Sequence, residues 1–308
     1  MFTTPKIAPE EHKREEHNYN NVVVRTDHAH LQPSLGTLVK APKFKEFIDN
    51  MKEIGHFSAV TFNVTDIDLF GSSVGFYKGK LEAYNTKTGK AVQSNICNNR
   101  GGCTSCLFIV TCVIDGEKRK MIPVVVQDRL PSGGECEEIV AGMKDNETGR
   151  LKTGKLASEV TEELPICDIT EDDPELIYLG EIFPSPGWSD ECIELWAKEL
   201  EITEKKYNFL REGTFGEGDH EVIKVKFYEY NEEFKEDVVP RLNDAKLLSA
   251  LYKYESYLEI KERKKKGETI ALTALVNTII IVIAMFALVL LYLYVIKMYL
   301  IAVLGDAL

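Results

Sequence analysis

Ser158-Glu159-Val160-Thr161-Glu162-Glu163, with Ala141-Gly142-Met143 a short way before it, is the stretch that decides how this chain folds and what it holds. Acids at i, i+3 and i+4 share one face of a helix, where like charges repel and weaken it unless something positive stands among them. Mg²⁺ or Mn²⁺ meets that need, because hard divalent ions take carboxylate and carbonyl oxygens and keep positions open for water and phosphate. An isolated E-x-x-E-E is more often a solvated acidic face. The segments on either side reverse that preference. The helix is expected to begin near Lys155 and to stop at Pro165, which has no backbone N–H and disfavours helical geometry at Leu164.

Working outward, Val126-Gln127-Asp128-Arg129 and Glu138-Ile139-Val140 precede the glycine loop at Ala141-Gly142-Met143, and Asp145 and Gly149 lie in a polar loop before the helix. Downstream come Phe183-Pro184-Ser185-Pro186-Gly187-Trp188-Ser189-Asp190-Glu191 and Asp219-His220-Glu221-Val222-Ile223-Lys224-Val225. From about Asp68 to about Tyr254 the chain resembles the Nudix hydrolase superfamily, and within it the ADP-ribose and ADP-sugar pyrophosphatases, including the plant ADP-sugar diphosphatases. The Ser-Pro-Gly-x-Ser-Asp-Glu segment is the most specific part of that likeness. Asp68-Leu69-Phe70-Gly71, Asn85-Thr86-Lys87-Thr88-Gly89 and Asp244-Ala245-Lys246 are similar to segments of the plant members. The chain departs from the Nudix box at Ser158, where the box has arginine, and at Pro165, where it has glycine. The spacing from Gly142 to Ser158 differs too, so Glu147 is only the nearest match to the first glutamate of the box.

The resemblance implies an α+β fold, the Nudix α/β/α sandwich with a mixed sheet, carrying an N-terminal β subdomain that in the family often forms a homodimer. It implies that Glu159, Glu162, Glu163 and the backbone carbonyl of Ala141 hold Mg²⁺ or Mn²⁺, with Glu159 and Glu163 catalytic. Glu221 is the implied general base, with Asp219 and Glu217 as runners-up, in a glycine-rich segment that starts at Gly213. Arg129, Glu138, Pro186, Gly187 and Glu191 are the implied substrate-binding residues, and Trp188 is available to stack on a base. The expected reaction is hydrolysis of the diphosphate of ADP-ribose or an ADP-sugar to AMP and a sugar phosphate. A UDP-sugar diphosphatase, and a catalytically weakened domain that senses a nucleotide at a membrane, stay open as alternatives.

The net charge of −12 and pI near 5.1 argue against a general nucleic-acid binder, which needs a basic surface to displace phosphate counterions. They leave a nucleotide substrate open, since a metal supplies positive charge locally. Seven cysteines form no secretory framework. Those at Cys97, Cys103, Cys106 and Cys112 read as structural thiols, with Cys106-Leu107-Phe108-Ile109-Val110-Thr111-Cys112 a buried strand.

Thr269 to Ile296 carries no charge, a length that crosses about 30 Å of hydrocarbon at 1.5 Å per residue. Lys261, Arg263, Lys264, Lys265 and Lys266 stand before it, as expected for a cytosolic flank. The expected organisation is a polar N-terminal extension (1–55), an N-terminal β subdomain (56–95), the Nudix domain (96–244), a helical basic linker (245–267) and a transmembrane anchor (268–304). That makes a single-pass, tail-anchored protein in contact with the lipid bilayer, in the endoplasmic reticulum or mitochondrial outer membrane, with its catalytic domain in the cytosol. Strands are expected at 59–64, 74–84, 107–114, 121–127, 176–183, 192–197 and 222–230, and a short helix at 44–54.

Overall fold

A computed structural model describes residues 15–93, 95–144, 152–170, 173–216, 222–267, 269, 278–279 and 296. The chain divides into two compact units, Met1–Tyr252 and Lys253–Leu308. The first is a mixed α+β unit with two sheets.

Five strands form the first sheet in the order β1-β2-β3-β4-β5: β1 (His17–Tyr19), β2 (Val22–Thr26), β3 (Phe57–Phe70), β4 (Ser73–Asn85) and β5 (Ile96–Asn99). Helices α1 (Gln32–Leu38) and α2 (Pro42–Ile54) accompany it. Pro42 stands in the first turn of α2, where its missing N–H costs nothing, and Gly55 closes the helix with a left-handed φ of 69°. Phe44 of α2 meets Phe62 and Tyr77 edge to face, with ring centroids 5.8 and 5.6 Å away. The expected domain boundaries are therefore corrected at both sides. β1 and β2 join this sheet through the parallel β2–β3 pair and α1 and α2 pack into its core, so residues 17–54 are not a separate extension, and β5 pairs with β4 beyond the expected limit at 95.

The second sheet runs β10-β11-β6-β7-β13-β12, with β8 paired to β7 and β9 to β6. Its strands are β6 (Cys103–Ile114), β7 (Glu117–Arg129), β8 (Gly134–Glu138), β9 (Val140–Met143), β10 (Ile177–Ile182), β11 (Ile193–Ile202), β12 (Thr214–Phe215) and β13 (Ile223–Glu229). Asp115-Gly116, both with positive φ, turns β6 into β7 as a two-residue hairpin. The sheet is mixed because β11 pairs parallel with β6, Ile193 opposite Cys103, while the other pairs are antiparallel. Helices α3 (Lys152–Glu163) and α4 (Glu204–Glu212) cover one face, burying Leu156, Val160 and Leu210 against Cys106, Phe108 and Val140.

Residues 245–252 are helical in the first unit and 253–267 in the second. The expected span 268–304 lies almost wholly outside the described residues; among those described, no helix is long and apolar enough to cross a membrane.

Candidate active site

α3 buries Leu156 and Val160, and Leu164 just past its end continues that stripe at helical spacing. Glu159 and Glu163, four residues apart, border this stripe, and Glu163 is drawn in to 5 % exposure. Glu162, on the same side of the helix by spacing, is exposed. The expected glycine loop proves to be strand β9, with Ala141 opposite Ser105 and Gly142 opposite Thr104. Here glycine is required by close approach: a Cβ on Gly142 would overlap the Glu159 side chain. Glu159 therefore lies directly on β9 beside Ala141.

These residues fit a hard cation in donor chemistry, two carboxylates on one helical face and a strand carbonyl next to one of them. Among the described residues no group of three or more His, Cys, Asp and Glu converges as a metal site. The N–H of Gly216 donates to the Glu162 carbonyl at 3.0 Å, bringing the end of β12 to the end of α3. The residues after it, Glu217, Asp219, His220 and Glu221, lie outside the described residues, as do Asp145, Glu147 and Gly149.

Arg129 and Glu138, expected separately at the substrate, hold each other. Arg129 donates from Nε and Nη2 to the two carboxylate oxygens at 2.7 and 3.1 Å. Lys246 adds a bond to Glu138 at 2.8 Å and one to Asp244 at 2.9 Å. Burial pushes the Glu138 carboxyl up, but the Arg129 and Lys246 bonds and charges outweigh it and hold the group down at about 2. Arg129 is thus part of a fixed ion network rather than an unengaged oxyanion fork.

Ser185 to Glu191 forms a turn clamped to β5. Trp188 and Ser189 donate to the Ser185 carbonyl at 3.0 and 2.9 Å, and Asn98 donates to the Trp188 carbonyl at 2.9 Å. Asp190 accepts from the amides of Arg100 and Gly101 at 2.7 and 3.1 Å and from the Asn99 side chain at 3.1 Å. The acid of this motif is therefore an anchor for the turn between the sheets. Pro186, Gly187 and Trp188 are exposed, and Glu191 pairs with Arg100 at 3.6 Å. Burial raises the Cys103 thiol to about 12; Lys246 and Arg100 pull it down while Glu191 and Glu159 push it up, so the fields of all four meet at the start of β6. Cys103, Cys106 and Cys112 are buried along β6 as expected of structural thiols.

Sequence reasoning missed Lys144 and Glu194, which pair at 2.5 Å with Glu194 almost fully buried. In Ile193-Glu194-Leu195-Trp196 an alternating reading sends Glu194 away from Ile193 and Leu195 and into solvent.

No family model matches the chain. The chain is 30 % identical over 201 residues to Nudix hydrolase 14, chloroplastic, of Arabidopsis thaliana, a match that covers 62 % of this chain and 61 % of that protein. The chain spans less than two thirds of the length of this relative. A crystal structure described as an ADP compounds hydrolase aligns with a TM-score of 0.38 at 11 % identity, covering 67 % of this chain and 98 % of that one.

Proposed function

We propose that this chain is a divalent-cation-dependent hydrolase of the Nudix type, which cleaves the diphosphate of ADP-ribose or an ADP-sugar to AMP and a sugar phosphate. The observation that carries this reading is the seating of Glu159 on Gly142 beside Ala141, with Glu163 one turn further along the same inward face. The hydrolase named in the Arabidopsis relative supports the same class.

Glu159, Glu163 and the Ala141 carbonyl would hold Mg²⁺ or Mn²⁺, with Glu162 able to join from the outer side. The bound cation supplies charge withdrawal from phosphorus and a lowered pKa for water. In the cleavage a water oxygen bonds to one phosphorus, the bridging P–O bond breaks, and the bridging oxygen leaves on the other phosphate. Glu221 is the proposed base that takes the proton, with Asp219 and Glu217 as alternatives. The Arg129–Glu138–Lys246 network would border the substrate, and Glu191 would face its ribose. Membrane attachment through 268–304 belongs to this reading, supported by the uncharged run from Thr269 to Ile296 and the cations before it. A homodimer through the five-stranded sheet belongs to it as well.

The test is nucleotide release by the full-length chain in detergent from ADP-ribose, ADP-glucose and UDP-glucose, with and without Mg²⁺. Mg²⁺-dependent AMP from the ADP substrates is expected. UMP from UDP-glucose alone would move the substrate to UDP-sugars. Nucleotide binding by a folded protein with no turnover would replace the hydrolase with a binding domain.

A further inference from the structure

One polar row crosses four strands on the face that α3 covers. Glu181 of β10 is opposite Glu194 of β11, Glu194 is opposite Thr104 of β6, and Thr104 is opposite Gly142 of β9. Residues directly opposite point to the same face, and neighbouring strands lie about 4.8 Å apart. Glu194 and Gly142 therefore flank Thr104 at about 10 Å from each other, and Glu159 lies over Gly142.

Lys144 completes the frame. It stands two residues beyond Gly142, its amide donates to the Gly102 carbonyl at 2.9 Å, and its side chain crosses Gly102, where a Cβ would meet Lys144 Cδ at 3.1 Å. Its ammonium reaches Glu194 at 2.5 Å. Thr104 sits in the middle, fully buried, and its hydroxyl has no hydrogen-bond partner among the described residues. A buried orphan hydroxyl among charges is the place for a small polar ligand, a water or a hydrated cation.

We propose that the Lys144–Glu194 pair sets the affinity of the site for its divalent cation, Lys144 opposing the cation and Glu194 favouring it. This rests on the reading of Glu159 and Glu163 as cation-binding residues. With no cation bound, the ammonium is the protein's own counter-charge on this row of acids. Lys144 and Glu194 are positioning residues: they act on the cation through the field at Glu159.

Direct Mn²⁺ titration of the full-length protein without nucleotide, followed by the resonance of free Mn²⁺ at pH 8, tests the proposal. Lys144→Met should tighten binding about tenfold and Glu194→Gln should weaken it about tenfold, as expected for removing a charge of either sign several ångströms from a divalent ion. The double variant and Lys144→Arg should both stay within about twofold of the parent, because each restores the charge balance. Shifts of the two single variants in the same direction, or no shift in either, would overturn the proposal; a merely structural pair would behave in that way. Should Glu194→Gln fail to melt cooperatively, Lys144→Met against Lys144→Arg decides alone. Glu163→Gln separates the two levels of the argument. If it leaves Mn²⁺ binding untouched, the cation-site reading falls and this inference with it; if it removes binding while the opposed shifts are missing, only this inference falls.

Discussion

Around Phe44, Phe62 and Tyr77 the five-stranded sheet buries rings edge to face, whereas the eight-stranded sheet and its helix bury Glu138, Glu163, Glu194 and Lys198. Packing accounts for the first region. It opposes the second, since a buried charge is costly unless paired and hydrogen-bonded. Glu138 is matched by Arg129 and Lys246, Glu194 by Lys144, and Lys198 by Asp173 and Glu175. One sheet thus provides rigidity, and the other holds charged groups at fixed places, as the proposed hydrolysis of a charged substrate would require.

The comparison breaks first, and most strongly, at Phe62→Ala. The loss should be about 3–5 kcal/mol by denaturant unfolding, with unchanged Mn²⁺ affinity in the protein that remains folded. A parallel fall in affinity would show that the two regions are not separable. Next is acid stability. Glu138 is held at about 2 against an ordinary value of 4.5. The unfolded chain binds that proton more readily, so the stabilisation, about 3 kcal/mol, is present above the ordinary value and lost as pH falls through 4.5 towards 2. Arg129→Met should remove much of it and start acid unfolding at a higher pH in melts between pH 2 and 6. An unchanged acid limb would contradict the assigned cause.

Gly142→Ala comes third. The added methyl should cost about 1–3 kcal/mol and weaken Mn²⁺ binding by displacing Glu159. A variant with both properties intact would show that Glu159 does not depend on this seat. The smallest effect is the sharpest contrast between the sheets. Thr26 donates to the Val64 carbonyl at 2.8 Å, while the Thr104 hydroxyl has no hydrogen-bond partner among the described residues. Thr26→Val should therefore lose about 1 kcal/mol, and Thr104→Val should gain up to about 1 kcal/mol. Equal losses at the two positions would remove the distinction.

What was legible in the sequence follows the range of each interaction. Pro165 ends α3, Asp115-Gly116 turns the β6–β7 hairpin, and Pro42 and Gly55 bound α2, all through local backbone preference. The inward turn of Glu159 and Glu163 also follows from helical spacing. Pairings over long separations were not legible: β2 joins β3 in parallel across α1 and α2, and β11 joins β6 across about ninety residues. The same holds for the Arg129–Glu138 and Lys144–Glu194 pairs, because no local pattern says which opposite charges will meet. Asp190 illustrates the limit on motif reading, since its oxygens are occupied by the turn at Asn99 to Gly101.

The central claim is that Glu163 serves the proposed hydrolysis. Mg²⁺-dependent hydrolysis of ADP-ribose by Glu163→Gln, measured beside its melting temperature, tests this most directly. The account predicts turnover lower by on the order of a hundredfold in a variant that still melts cooperatively. Wild-type turnover in the variant, or loss of the fold, would contradict it.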